Sequence, residues 1–81
     1  MVPYGKNQVI GQNGFKPYYV LITADVLNVR SGAGQSNKVV TQVKHDQVFT
    51  IIEEKDGWGK LKSGAGWISL EYTKKLKEVD N

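Results

Sequence analysis

The side chains that could do chemistry in this chain are suited to binding rather than to catalysis. Cysteine is absent, which excludes a thiol nucleophile and a thiolate zinc site. His45 is the single histidine, and its polar surroundings indicate a solvated loop residue. No serine on a glycine-rich elbow precedes a helix, so a serine triad is excluded as well. We therefore expect no catalytic residue, no metal and no cofactor.

Asn28 and Arg30 could recognise a peptide. They occupy alternate positions of an apolar–polar segment, so both point to the same side of a predicted strand. The planar guanidinium of Arg30 could bind a carboxylate, while Asn28 could bond to peptide amides. The alternative for Arg30 is structural, namely a pair with Asp25 or Glu53 that pins the following loop.

Aromatic side chains could supply a second recognition surface. Trp58 and Trp67 each follow a glycine-containing turn, where an exposed ring could stack on a sugar or cover a peptide backbone. Large aromatic side chains also fill the core of a small domain. We interpret one tryptophan as wholly or partly core and predict that Trp58 faces a ligand groove. Tyr18 and Tyr19 alternate, so one must point outward, and we predict that it is Tyr19.

Two pairs of glycines need separate interpretations. Gly32 and Gly34 either let a ligand backbone approach their loop or permit positive φ angles, and we favour the second reading. Gly64 and Gly66 do not form a phosphate-binding loop, because no Lys-Ser/Thr follows and no helix begins there.

The elements that must position these residues are β-strands. Short runs of aromatic and β-branched residues alternate with turn formers, and no segment has a helical period. The predicted strands are 18–23, 27–30, 39–43, 48–53, 58–62 and 67–69. Asp56 and Gly57 indicate a type I′ hairpin turn. The sequence therefore predicts an all-β fold, a small barrel of five to six short antiparallel strands with one turn of 3₁₀ helix at 70–72. A barrel would also remove exposed sheet edges.

Length and charge define the organisation of the chain. Its 81 residues, 40% hydrophobic and 23% charged, indicate one small globular domain. We divide it into a linker or N-terminal arm (1–17), a folded domain (18–76) and a charged tail (77–81). The net charge is +3, but the basic residues are scattered, and we interpret the densest run, Lys74, Lys75 and Lys77, as a solvated tail. No apolar run is long enough for a transmembrane helix.

Three sequence blocks resemble the bacterial SH3 (SH3b) family. Residues 23–32 resemble its opening, a threonine–alanine step followed by Leu-Asn-Val-Arg-Ser-Gly. Residues 56–61 resemble its Gly-Trp-x-Lys-hydrophobic strand, and residues 64–69, followed by Tyr72, resemble its Gly-x-x-Gly-Trp-hydrophobic ending. The blocks occur in the family's order within residues 18–76.

The chain departs from the family pattern at three positions. Asp46 stands in a turn where the family usually has glycine, which aspartate can replace in turn geometry. Gly59 stands where a bulkier residue is common, so we expect a flatter surface there. Ala33 replaces a proline of many members, which we expect to loosen the loop at 31–37.

The resemblance implies a non-catalytic, monomeric module that holds an attached catalytic domain against peptidoglycan. Such modules occur in cell-wall amidases, phage endolysins and surface proteins of Gram-positive bacteria, so the implied location is extracellular, at the cell wall. The implied ligand is a stem or bridge peptide, bound in a shallow groove between the loop at 31–37 and the side of Trp58 and Tyr72. The predicted ligand-binding residues are Tyr19, Asn28, Arg30, Ser31, Gly32, Gln35, Trp58, Trp67 and Tyr72.

Two other classes of function are open to a small basic barrel. A nucleic-acid-binding domain would need a basic face interleaved with exposed aromatic residues, whereas the charges here alternate in sign. A structural or protein-interaction domain would use Tyr19 and Trp58 as contact anchors. We expect no nucleic-acid partner.

Overall fold

The structure is a computed structural model that describes residues 14–79. The strands are β1 (Tyr18–Ile22), β2 (Val26–Arg30), β3 (Val39–Lys44), β4 (Val48–Lys55), β5 (Trp58–Leu61), β6 (Trp67–Ser69) and β7 (Thr73–Glu78). A single turn of 3₁₀ helix, Leu70–Tyr72, joins β6 to β7. The all-β prediction is therefore confirmed, together with its 3₁₀ turn. The arm predicted for residues 1–17 lies outside the described residues except for 14–17.

The seven strands form one antiparallel sheet that curls around an apolar core. Its strand order is β3-β2-β6-β5-β4-β1-β7. Every strand except β7 contributes side chains to the same core cluster, so the inner face of the curled sheet encloses a single core. The buried core residues are Tyr18, Val20, Ile22, Leu27, Val29, Val43, Ile51, Leu61 and Ile68. Within residues 14–79, β3 and β7 are each paired on one side only, so the expected removal of edges by barrel closure is wrong.

Alternation along β1 and β2 separates core residues from surface residues as the sequence predicts. In β1, Tyr18 is buried and Tyr19 lies on the outer face, half-buried. In β2, Leu27 and Val29 point into the core, which leaves Asn28 and Arg30 on the opposite face. This alternation follows from the two-residue period of a strand.

Two turns use positive φ angles at residues other than glycine. Asp56 and Gly57 have φ angles of 52° and 85°, which confirms the type I′ turn predicted between β4 and β5. Asp46 has a φ angle of 70° in the turn after β3. The resembling family usually has glycine there, and aspartate tolerates this conformation better than most residues.

The lysine-rich end of the domain is a strand, which corrects the interpretation of Lys74, Lys75 and Lys77 as a solvated tail. They belong to β7, which pairs antiparallel with β1. Lys75 also places its Nζ atom 4.5 Å from the centroid of the Tyr18 ring, a cation–π contact. The strand continues to Glu78, past the domain boundary predicted at residue 76.

Gly59 does not flatten the surface, because it lies buried in β5. A Cβ atom at this position would lie 2.7 Å from Leu70 Cδ2 and 2.9 Å from Ile51 Cδ1. Both distances are shorter than a normal carbon–carbon contact of about 3.5–4.0 Å. The missing side chain is therefore explained by core packing.

The Tyr18 hydroxyl forms a partly buried hydrogen bond across β1 and β4. It donates to Oε2 of Glu54, and the ring packs near Phe15, with the two ring centroids 6.2 Å apart. Burial raises the pKa of Tyr18 well above its ordinary value, and the hydrogen bond and negative charge of Glu54 raise it further. All three effects favour the neutral phenol in the folded chain.

This environment predicts a loss of stability at alkaline pH. Above about pH 10 the tyrosine of the unfolded chain ionises while folded Tyr18 stays neutral, so the unfolding free energy falls as pH rises. Tyr18→Phe should cost about 1 kcal/mol at pH 7, for the lost hydrogen bond, and flatten the decline above pH 10. Urea unfolding between pH 8 and 11 measures both effects. The control Glu54→Gln keeps a hydrogen-bond acceptor and should retain most of the decline in unfolding free energy. An equally steep decline with pH in Tyr18→Phe and in the wild type would contradict this account.

Candidate functional site: a groove beside β2

A shallow groove lies where β2 and its following loop approach β5, β6 and the 3₁₀ turn. Its volume is about 210 Å³. The lining residues are Ala24, Val26, Leu27, Asn28, Arg30, Gln35, Trp58, Ser69 and Tyr72. We call it the β2 groove. Five of the nine predicted ligand-binding residues line it, namely Asn28, Arg30, Gln35, Trp58 and Tyr72.

Arg30 holds the β2–β3 loop and also lines the β2 groove. Its Nη1 atom donates a hydrogen bond of 2.9 Å to the carbonyl oxygen of Asn37. The structural role considered for Arg30 is therefore present, but its partner is this backbone carbonyl rather than Asp25 or Glu53. The guanidinium has other N–H donors that this bond does not use. Arg30 can thus fix the loop and still offer donors to a ligand.

Asn37 organises the loop that places Gln35 at the groove. Its backbone N–H and its Nδ2 atom both donate to the carbonyl oxygen of Gly34, each at 3.2 Å. Gly34 has a φ angle of 130°, as expected of a glycine that permits a positive φ angle. Gly32 does not have a positive φ angle, so that interpretation is wrong for it; it packs against the Asn37 side chain, since a Cβ atom there would lie 3.0 Å from Asn37 Oδ1. These contacts hold the loop even though Ala33 stands in place of proline.

Trp58 and Tyr72 supply the aromatic part of the lining. Trp58 is half-buried and begins β5 directly after the type I′ turn, while Tyr72 is 45% exposed. The Leu70 N–H donates to the Gly57 carbonyl at 2.9 Å, and the Thr23 N–H donates to the Tyr72 carbonyl at 3.0 Å. Backbone bonds therefore fix both aromatic residues in place. The prediction that Trp58 faces a groove is consistent with this position.

The β2 groove combines one positive charge with neutral amide and hydroxyl groups. Arg30 is the charged side chain among the lining residues. The Oδ1 atom of Asn28 accepts a hydrogen bond of 2.9 Å from Gln42, which leaves the Asn28 NH₂ group as a donor. Ser69 and Gln35 add further polar groups. The groove is thus suited to peptide carbonyls and a carboxylate between aromatic side chains.

Four predicted site residues do not line the β2 groove. Tyr19 lies in a different groove on the outer face of the sheet. Ser31 is exposed at the start of the loop, and Gly32 contacts Asn37. Trp67 is half-buried opposite Arg30 in the β2–β6 pair. A binding role for each of the nine residues stays a prediction.

Four lining residues were not predicted from the sequence: Ala24, Val26, Leu27 and Ser69. Val26 carries a usable signal, because it alternates with Asn28 and Arg30 and therefore shares their face. Ser69 lies opposite Trp58 in the β5–β6 pair, a register that the sequence does not specify. Among residues 14–79, no helix is long and apolar enough to cross a membrane and no cluster of side chains could hold a metal ion.

Comparison of the sequence with known proteins identifies a family. The model of the family described as "Bacterial SH3 domain" matches residues 25–74. Over 46 residues the chain is 44% identical to "Probable endopeptidase p60" of Listeria welshimeri and equally to the protein of that name from Listeria seeligeri. The match covers 56% of this chain but only 9% of the length of either relative. No solved structure gives a significant match. Because the family model covers more than half of it, the chain belongs to the bacterial SH3 domain family.

Proposed function

We propose that this domain is a non-catalytic cell-wall-binding module that recognises the stem or bridge peptide of peptidoglycan. The observation that carries the proposal is the β2 groove, where peptide-binding side chains predicted from the sequence lie together. Family membership and the similarity to proteins named as probable endopeptidases support it.

The groove residues have separate roles in this proposal. Arg30 binds a carboxylate of the peptide through N–H groups not used by Asn37. Asn28 and Gln35 bond to peptide amides and carbonyls, and Trp58 and Tyr72 cover the peptide backbone. The small side chains Ala24 and Ser69 leave room for the peptide between these groups.

Weak binding by so small a groove is sufficient to target an attached second domain to its substrate. A module linked to a catalytic domain raises the local concentration of substrate to the millimolar range for short flexible linkers, an order-of-magnitude effect of tethering. We therefore propose that the domain acts outside the cell and targets a peptidoglycan hydrolase, or a surface protein, to the wall. An endopeptidase is the form of hydrolase that the relatives' names suggest.

The proposal is tested by sedimentation of the 81-residue chain with purified peptidoglycan sacculi at low and moderate salt. The wild type should sediment with the sacculi, and Trp58→Ala and Tyr72→Ala should each weaken binding about tenfold, as expected for an aromatic contact residue. The matched control is Lys77→Glu, an exposed position on β7 outside the β2 groove, and it should bind as the wild type does.

Three results would contradict the proposal. One is absence of sedimentation by the folded wild type at both salt concentrations. Another is undiminished sedimentation of both aromatic variants. The third is tighter, steeply salt-dependent binding to single-stranded DNA, which would support the nucleic-acid alternative.

A further inference from the structure

The outer face of β4, β1 and β7 carries a second recognition surface. Side chains directly opposite each other in a strand pair share a face. Leu21 lies opposite Val48 on β4 and opposite Lys74 on β7, which gives one row across three strands. Tyr19 lies opposite Thr50, and the Lys62 N–H donates to the Thr50 carbonyl at 2.9 Å, which gives a second row.

The centre of this face is apolar and exposed. Val48 is 52% exposed, and its neighbours Tyr19 and Leu21 on β1 are half-buried. A groove beside Tyr19 is lined by Val48, Phe49, Thr50, Leu61, Lys62 and Ser63. We call this area the outer face. It shares no lining residue with the β2 groove.

Two lysines stand at the ends of these rows. Lys74 ends the first row at β7, and Lys62 ends the second row beyond β4. The two lysines therefore stand at opposite corners. They are three strand spacings of about 4.8 Å apart across the sheet and two residues, or about 6.6 Å, apart along it, which places their backbones about 16 Å apart. In an extended peptide, which rises about 3.3 Å per residue, carboxylates four residues apart span about 13 Å, and the long, flexible lysine side chains can reach across the remaining difference of about 3 Å.

We propose that the outer face docks an acidic protein segment in which two carboxylates, four residues apart, flank an apolar centre. The lysines bind the carboxylates, and the apolar residues of the segment cover Tyr19, Leu21 and Val48. An apolar centre with a charged rim is typical of a protein interface. An anionic phosphate polymer would satisfy the lysines but would leave the apolar centre uncovered, so the protein partner is the better fit.

The test is a nuclear magnetic resonance titration of the labelled full chain with the blocked peptide Glu-Leu-Phe-Leu-Glu. Saturable shifts are expected at Tyr19, Val48 and Lys62, with smaller effects at the β2 groove. The matched control peptides are Lys-Leu-Phe-Leu-Lys, with reversed charge, and Glu-Glu-Leu-Phe-Leu, with adjacent carboxylates. Both control peptides should bind about tenfold more weakly than Glu-Leu-Phe-Leu-Glu if the outer face recognises both the sign and the spacing of the charges. The factor is an order-of-magnitude expectation for lost charge pairs.

Charge-reversal variants identify the docking side chains. Lys62→Glu and Lys74→Glu should each weaken binding of Glu-Leu-Phe-Leu-Glu about tenfold, whereas Lys38→Glu in the β2–β3 loop should leave it unchanged. Equal binding of the three peptides, or equal effects of the three variants, would overturn the proposal. So would saturable binding of tripolyphosphate at these residues without binding of the peptide. Because Lys62 and Lys74 lie outside the β2 groove, failure here leaves the sedimentation result on peptidoglycan unaffected.

Discussion

Gly66→Ala is expected to destabilise the domain by about 3 kcal/mol or more, because backbone strain and steric overlap act at the same position. Gly66 is buried and has a φ angle of 147°, which L-residues rarely adopt. A Cβ atom here would overlap the carbonyl oxygen of Arg30 and lie 3.0 Å from Val29 Cγ1. Backbone cannot move aside as a flexible side chain can, so β6 would have to shift away from β2.

Gly64→Ala is the matched control for this prediction. Gly64 has a φ angle of 85° in the same turn, but nothing lies within 4 Å of a Cβ atom placed there. This variant should lose only the conformational term, about 1 kcal/mol. The comparison uses urea unfolding followed by tryptophan fluorescence. Equal losses in Gly64→Ala and Gly66→Ala would show that the overlap with Arg30 does not matter.

Ile51→Ala is expected to cost about 3–5 kcal/mol, the upper part of the range for an isoleucine removed from a core. Ile51 is fully buried in β4, paired with both Tyr18 and Leu61. Its methyl groups fill the space above Gly59, which has no side chain with which to close a cavity. The whole unfolding free energy of a domain this size is roughly 3–10 kcal/mol, so a large fraction of the variant should be unfolded.

Ile51→Val is the conservative control. It removes one methyl group and should cost about 1 kcal/mol while the chain stays folded. Thermal unfolding by circular dichroism measures both variants. A loss below about 1 kcal/mol for Ile51→Ala would mean that the core collapses around the cavity, contrary to the packing against Gly59.

The local patterns of the sequence predict much of this fold. Strand alternation in residues 27–30 indicates which side chains enter the core, and Asp56-Gly57 indicates the hairpin turn. Both signals are local, since they depend on the period of a strand and on permitted φ angles. The strand β7 is missed because three lysines and a single leucine lack the apolar pattern of a half-buried strand. It is a strand because β1 offers a free edge to pair with.

The composition of the candidate site depends on features that the sequence does not specify. Tyr19 and Asn28 are close in sequence, but β6, β5 and β4 lie between β2 and β1 in the sheet, so Tyr19 lies away from the β2 groove. The Arg30 partner is equally non-local, because a backbone carbonyl carries no residue-type signal. Asn37 is missed for the same reason, since its bonds depend on the path of the loop.

The pairing of β1 with β7 has a mechanical consequence. Tyr18 lies opposite Glu78, and the Val79 N–H donates to the Pro17 carbonyl at 2.9 Å, so the sheet begins and ends at adjacent points. A tensile force applied through residues 17 and 79 would act across the strand pair and load its hydrogen bonds one after another. Such a pair opens like a zipper, whereas strands pulled along their length in opposite directions share the load. Under tension, β7 is therefore the first strand to peel away, while the β2 groove lies on other strands.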